Sequence, residues 1–144
     1  NANVKRYSVN IPNSSFSHYS STNHYYAYRT VGTVGANDAV LVFMWERNAE
    51  TSWNNAEWVA LPMQMYWGTG SCFITNTYSI TNATSAQIQF TMRNSCGGAP
   101  YNPMTGTSSY KVFVIAGVPG KQVLDTIDAT DYEAVCEAFG LDPN

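Results

Sequence analysis

Short strand-like segments, separated by turn residues, fill this chain up to about residue 118. They are rich in Val, Ile, Thr, Tyr and Phe, and Gly, Pro, Asn and Asp interrupt them at short intervals. The segments predicted as strands are 4–11, 25–34, 39–45, 58–67, 71–80, 86–93 and 110–115. About seven strands at this spacing predict a mainly all-β fold, an antiparallel β-sandwich of the immunoglobulin-like or jelly-roll-like kind.

Two of these segments differ from the alternating pattern. Segment 39–45 is continuously apolar, which predicts a central strand that is covered on both faces. Segment 110–115 is predicted to be a second buried strand. Pro62 lies inside segment 58–67 and indicates a sheet edge or a bulge, because proline cannot donate to a β-ladder. The residues from 13 to 23 are predicted to form a loop.

The clearest local pair consists of segments 71–80 and 86–93. Apolar and polar residues alternate in the second of them, as expected for a half-buried strand. The short polar stretch between the two predicts an antiparallel hairpin. A loop centred near residue 84 places Tyr78 opposite Phe90.

The cysteines extend this hairpin prediction. In the same register Cys72 lies opposite Cys96 at the open end, where facing Cβ atoms come close enough for a disulfide. Such a bond would imply an oxidising compartment. The alternative is two independent buried thiols. Cys136 lies on an apolar helix face and is predicted to be a buried, inert thiol.

Only the end of the chain has a helical pattern. Thr130 and Glu133 match a capping box, and Gly140 matches the residue that follows a helix C-cap. The apolar face between them is Tyr132, Val135, Cys136 and Phe139. A helix of about nine residues is marginal alone, so it is predicted to dock on the sheet.

Length and charge limit the classes of protein. The 144 residues suit a single domain spanning 1–144. Charged residues make up 12% of the chain, against about 25% in ordinary soluble domains. Seven scattered basic residues predict no nucleic-acid binding, and no apolar run reaches the ~18 residues of a membrane-spanning helix. A neutral-polar, tyrosine-rich composition is typical of exported surfaces.

No motif of catalysis, metal binding or cofactor binding is recognised, so none of the three is predicted. His18 and His24 match neither spacing of the common zinc motifs. A hydrolase built around Glu46 is one alternative, since this acid follows a buried strand beside Trp45. It requires a second carboxylate at ~5–9.5 Å, as in glycosidases. The other candidate acids are Asp38, Glu50 and Glu57.

Aromatic residues supply the remaining signal. Many of them are expected in the core between two sheets, but several lie in polar surroundings. Exposed Trp and Tyr favour interfaces because they contribute a large area at low rotamer cost, and they also stack on sugar rings. The candidate contact or glycan-stacking residues are Trp53, Tyr19, Tyr25, Tyr26, Tyr28 and Tyr101.

Four segments in order carry a resemblance to a known family. They are Asp38 followed by the apolar strand 39–43, Trp58-Val59-Ala60-Leu61-Pro62, the strand 110–115, and a short helix with Tyr132-Glu133-Ala134-Val135. The stretch Ser8-Val9-Asn10-Ile11-Pro12 also fits. In this order they resemble a family of uncharacterised small exported, lipoprotein-type β-sandwich proteins of Bacteroidota-type bacteria. In that family a lipoprotein-type signal, often with a short collagen-like stretch, precedes the domain.

The resemblance implies a bacterial cell-surface, outer-membrane-associated or extracellular location, and no known catalysis. This chain departs from the family in its three cysteines, in lacking the lipid-attachment Cys and in lacking a Gly-x-y run. The leading hypothesis is a non-enzymatic exported protein that acts through protein contacts. It would be a structural subunit of a surface assembly, filament or outer-membrane complex, with itself or other cell-surface proteins as partners. The alternative is a glycan-binding module that uses exposed Trp and Tyr.

Overall fold

A computed structural model describes residues 4–46, 57–66, 72–82, 86–101 and 104–144. Within these ranges the chain forms nine strands and two α-helices, which confirms the predicted antiparallel sandwich with a C-terminal helix. The strands are β1 Val4–Pro12, β2 Ser17–Tyr19, β3 His24–Thr30, β4 Ala39–Glu46, β5 Glu57–Ala60, β6 Met63–Tyr66, β7 Phe73–Asn82, β8 Gln87–Asn94 and β9 Thr107–Ile115. The helices are α1 Gly117–Leu124 and α2 Tyr132–Ala138.

Two antiparallel sheets face each other. Sheet A has the strand order β1-β9-β4-β5, and sheet B has the order β2-β3-β8-β7-β6. β1 pairs with β9 along its whole length, from Val4 opposite Ile115 to Pro12 opposite Thr107. The first strand of the sequence is therefore held by the last. The core between the sheets includes Ile11, Val42, Val112, Ile88 and Phe90.

A second core lies on the other face of sheet A. Phe43 of β4 and Phe113 of β9 point away from sheet B and are fully buried beneath the helices. Tyr132 of α2 packs edge-on against both rings, with centroids 5.3 and 5.8 Å away. This arrangement confirms the predicted cover on both faces for the middle of segment 39–45, whereas Trp45 at its end is 39% exposed.

Helix α1 corrects the sequence prediction, which assigned helix only to the end of the chain. Gly117-Val118-Pro119-Gly120 reads as a turn, yet it forms the first half of α1. Proline is tolerated in a first helical turn, because the amide N–H groups there have no partner within the helix. At Gly120 a Cβ would collide with the Ile115 side chain, so glycine allows α1 to lie directly on β9.

The start of α2 also differs from the prediction. Asp131, not Thr130, is the N-cap, and its Oδ1 accepts a hydrogen bond from the Ala134 amide at 3.2 Å. Thr130 instead donates its hydroxyl to Asp128 Oδ1 at 2.6 Å. The same contact lowers the pKa of the Asp128 carboxyl, because the hydrogen bonds from Thr130 favour its charged form.

The end of α2 is as predicted. Gly140 has a φ of 68°, in the left-handed region that favours glycine. Its amide donates to the Glu137 carbonyl at 3.1 Å, and the Leu141 amide donates to the Cys136 carbonyl at 2.8 Å. These two bonds form a Schellman motif, which ends the helix and turns the chain.

The predicted hairpin is confirmed in its register. Tyr78 lies opposite Phe90 in the β7–β8 pair, and Cys72 and Cys96 form the expected disulfide with Cα atoms 5.5 Å apart. Cys136 is a free thiol in the second core, as predicted. Tyr78 also donates its hydroxyl to the Val40 carbonyl at 3.1 Å, which joins the two sheets.

Two segments were assigned wrongly from sequence. Segment 58–67 is not one strand, because β5 belongs to sheet A and β6 to sheet B, with Leu61 and Pro62 between them. Both strands are sheet edges, which agrees with the edge predicted from Pro62. The region from 13 to 23 is not wholly a loop, since it contains the short edge strand β2.

Asn76 is a polar residue buried in the apolar core between the sheets. Asn76 lies on β7 opposite Met92 and Met63, is 1% exposed, and its amide atoms have no hydrogen-bond partner in the described ranges. A buried unpaired polar group costs about 1–3 kcal/mol. We expect Asn76→Leu, of similar volume, to raise the free energy of unfolding by about 1–2 kcal/mol in denaturant melts.

The matched control is Thr77→Val on the outer face of the same strand, with an expected change within about 0.5 kcal/mol. A loss of stability in Asn76→Leu would mean that the amide is satisfied, and would contradict the prediction.

Candidate functional site

A row of aromatic rings, exposed at its two ends and half-buried in the middle, lies on the outer face of sheet B. β3 alternates, so that Ala27 points into the core while His24, Tyr26 and Tyr28 point outward. Tyr19 of β2 lies opposite His24 and joins the row. Successive ring centroids from Tyr19 through His24 and Tyr26 to Tyr28 are 5.4, 5.8 and 5.6 Å apart. Tyr19 is 51% and Tyr28 is 42% exposed.

The strands beside this row present neutral polar side chains. Gln89 and Thr91 of β8 lie opposite Tyr28 and Tyr26, and Ser79 and Thr77 of β7 continue the same rows. Among the described outward positions of β2, β3, β7 and β8, Arg93 carries the only formal charge. We call this surface the tyrosine face. It is broad, nearly uncharged and aromatic at one side.

The candidate residues from the sequence divide among different environments. Tyr19, Tyr26 and Tyr28 share the tyrosine face. Tyr25 lies on the opposite side of β3, where it stacks on His18 at 4.5 Å and packs against the core. Tyr101 also packs against the core. Trp53 lies outside the described residues.

The two histidines lie on opposite faces of the β2–β3 hairpin. His18 Nε2 is 2.8 Å from Asn23 Oδ1, an acceptor, which places the proton on Nε2. His24 Nδ1 forms a hydrogen bond with Thr22 Oγ1. Their side chains therefore do not converge. In the part of the chain that the structure describes, no three His, Cys, Asp or Glu side chains are grouped to hold a metal ion.

A separate pair of aromatic rings, Trp45 and Trp58, lies on the outer face of sheet A. Trp45 follows Phe43 on the same face of β4, and Trp58 of β5 pairs directly with Trp45. Their ring centroids are 5.0 Å apart with the planes tilted by 59°. Tyr132 contacts Trp58 at 5.5 Å, and beyond this point α2 no longer covers the sheet. Trp45 is consequently 39% exposed.

Two hollows meet at this pair. The larger, of about 910 Å³, extends from Trp45 and Trp58 along β5 to the start of α2. The smaller, of about 450 Å³, extends in the other direction over β9 and β1, where Ser8, Asn10 and Lys111 line it. We call the surface made by Trp45, Trp58, Ser8, Asn10 and Lys111 the tryptophan shelf. These two tryptophans are not among the contact residues predicted from sequence, although Trp45 continues the outward alternation of β4.

Charges of both signs border the tryptophan shelf. Lys111 Nζ lies 5.3 Å from the centroid of Trp58 and donates to Ser8 Oγ at 2.7 Å. At the other end the larger hollow is lined by the carboxylates of Glu57, Asp131 and Glu133. The shelf therefore offers donors and acceptors along its length rather than one sign of charge.

Residues 143–144 lie along one side of the tryptophan shelf. Arg6 Nη1 donates to the Tyr132 hydroxyl at 3.1 Å and to the Asp142 carbonyl, and it also contacts Cys136 Sγ. Pro143 beyond this anchor lines both hollows. Burial, with the Cys136 thiol adding to it, raises the pKa of Tyr132 to about 12. Tyr132 is therefore neutral at physiological pH.

Of the acids predicted as candidates for a hydrolase, Asp38 precedes β4, whereas Glu46 and Glu57 lie together at its far end. Asp38 accepts from the Gly35 amide at 2.7 Å and from the Gly117 amide at 3.1 Å, so it fixes a turn and the start of α1. At the far end of the strand, Glu46 pairs with Glu57 in the β4–β5 ladder. Glu50 lies outside the described residues. In the described ranges, no helix is long and apolar enough to cross a membrane.

Comparisons with protein-family models, with curated proteins and with solved structures find no match for this chain. The resemblance to exported proteins of Bacteroidota-type bacteria therefore stays a prediction. The fold itself defines the class: an antiparallel β-sandwich with a helical layer on one sheet, a disulfide, and two exposed aromatic surfaces.

Proposed function

We propose that this protein is a non-enzymatic, exported cell-surface protein that acts through protein contacts, as a structural subunit of a surface assembly, filament or outer-membrane complex. The observation that carries the proposal is the tyrosine face. Tyr19, His24, Tyr26 and Tyr28 form a continuous row of rings, exposed at Tyr19 and Tyr28 and half-buried at His24 and Tyr26, on a sheet surface with one formal charge at its described outward positions.

A face with few charges costs little to desolvate, which favours contacts there. Burying a charge in an interface is costly unless it is paired, whereas hydroxyl and amide groups find partners readily. Tyrosine gives a large contact area with few rotatable bonds, and its hydroxyl keeps a hydrogen bond available at the interface. A nearly uncharged patch also does not repel its own copy, which suits a two-fold contact between identical surfaces.

The exported location has separate support. The Cys72–Cys96 disulfide is the kind of bond that persists in oxidising compartments. The low charge content is consistent with the same location. A second copy of this chain is the partner that the nearly uncharged tyrosine face favours.

We expect the protein to self-associate as its concentration rises, and Tyr19→Lys/Tyr28→Lys to weaken the association at least tenfold. The two lysines would have to be desolvated at the contact and would repel their symmetry mates. Size-exclusion chromatography with light scattering over a concentration series measures this. Val118→Lys, at an exposed position of α1 remote from the tyrosine face, is the control and should associate like the wild type.

Two results would contradict the proposal. One is a wild-type protein that stays monomeric at the highest concentration reached. The other is a double-lysine variant that associates as strongly as the control.

A further inference from the structure

Beyond the proposed contacts of the tyrosine face, we propose that the tryptophan shelf binds an uncharged oligosaccharide of pyranose sugars. The residues predicted from sequence for glycan stacking are Trp53 and a set of tyrosines. The structure offers a different place, on the other sheet, where Trp45 and Trp58 lie side by side between two connected hollows.

The exposure of Trp45 is the first reason. Tryptophan is highly buried on average, yet this indole is 39% exposed on a sheet face. α2 covers the neighbouring Phe43 completely and reaches only as far as Trp58. Trp45 and Trp58 together present an apolar platform that the other described residues leave partly uncovered. The C–H faces of pyranose rings are apolar and stack on such platforms, while the indole N–H stays available to a hydroxyl.

The polar groups around the platform are the second reason. Ser8, Asn10 and Ser109 lie beside Trp45 in the smaller hollow, and each has a short neutral hydroxyl or amide. Lys111 adds a donor that is already held by Ser8 and by the Trp58 ring. Such groups exchange hydrogen bonds with sugar hydroxyls without a counter-charge.

The distribution of charge selects against ionic ligands. A cationic ligand stacked on the tryptophans would meet Lys111, which lies 5.3 Å from the Trp58 centroid. An anionic ligand long enough to fill both hollows would meet Glu57 and Asp131. A neutral ligand is compatible with both ends. The larger hollow, at about 910 Å³, lies within the usual size of ligand sites, at roughly 300–1,000 Å³.

Binding of soluble neutral oligosaccharides tests the inference. Cellohexaose, xylohexaose, mannohexaose and hexa-N-acetylchitohexaose are added to the intact protein, and tryptophan fluorescence and calorimetry are recorded at low and high salt. We expect at least one of them to bind, with little dependence on salt. We expect Trp45→Ala to weaken that binding at least tenfold and Trp45→Phe, which keeps an aromatic platform, to weaken it less.

Two further variants make the result specific. Asn10→Leu, at an exposed position of the edge strand β1, should weaken binding several-fold without loss of folding, since only the amide contacts are removed. Tyr28→Ala, on the tyrosine face, should bind like the wild type, which separates this inference from the proposed self-association. Circular dichroism of every variant checks the fold.

Two results would overturn the inference. They are no binding of any of the four sugars at millimolar concentration, and unchanged binding in Trp45→Ala and Asn10→Leu.

Discussion

Phe113→Ala is expected to lower the free energy of unfolding by about 3–5 kcal/mol. Phe113 is fully buried between sheet A and α2, with the rings of Phe43 and Tyr132 5.7 and 5.8 Å away. Removing it forfeits the burial of a whole ring and leaves a cavity that two strands of a sheet cannot collapse to fill. Urea or guanidinium melts measure the change.

The accessibility of Cys136 provides a second measurement of the same variant. This thiol is fully buried in the same core. In Phe113→Ala it should react faster with a thiol reagent under native conditions, because α2 opens more often. Val118→Ala, at a 56% exposed position, is the control and should change stability by less than about 0.5 kcal/mol. If Phe113→Ala costs no more than this control, the helical layer is not packed as described.

Removal of the Cys72–Cys96 disulfide has the second largest expected effect. The bond joins residues separated by 24 positions, and a loop of this length corresponds to roughly 3–4 kcal/mol when the entropy of the unfolded chain is considered. We expect Cys72→Ala/Cys96→Ala to lose about that much stability. The wild type should lose the same amount in reducing agent, and denaturant melts give both values.

The double variant is its own control for the reductant, because its stability should not change when reducing agent is added. Cys136 stays as the free thiol in both proteins, so it cannot explain a difference. A loss below about 1 kcal/mol in the variant would show that the hairpin register alone holds this end of the sheet.

Local patterns were sufficient for several elements of the fold. The β7–β8 register and the disulfide followed from alternation and one short loop, because a hairpin with a short connection has few possible registers. The two-sided burial of the middle of β4 followed from its continuous apolar run, which did not indicate that Trp45 at its end is exposed. Gly140 marked the end of α2 because its backbone needs a positive φ.

Other features depend on contacts between distant segments. Pro62 indicated an edge or a bulge between β5 and β6, but their assignment to different sheets arises from pairing with β4 on one side and β7 on the other. α1 has the composition of a turn and is helical because Gly120 allows contact with Ile115. Asp131 replaces Thr130 as the cap because the chain enters α2 one residue later.

The candidate surfaces, too, could be predicted from local sequence only in part. Exposure of Tyr19 and Tyr28 was expected from their polar surroundings. The inward position of Tyr25 depends on which face of β3 meets the other sheet. The tryptophan shelf could not be recognised from sequence, because Trp45 and Trp58 become neighbours only when β4 pairs with β5, and their cover depends on where α2 begins.

The pairing of β1 with β9 has a consequence for how the chain folds. Strand β1 is synthesised well before its partner, Thr107–Ile115, because the two strands lie far apart in the sequence. Contacts between such distant segments slow folding, since the intervening chain must be ordered before they form. Until then Val9 and Ile11 have no sheet to cover them, which is the kind of surface that aggregates or recruits chaperones. The β7–β8 hairpin, by contrast, needs only its own residues. We infer that sheet B is organised early around this hairpin and that sheet A closes last.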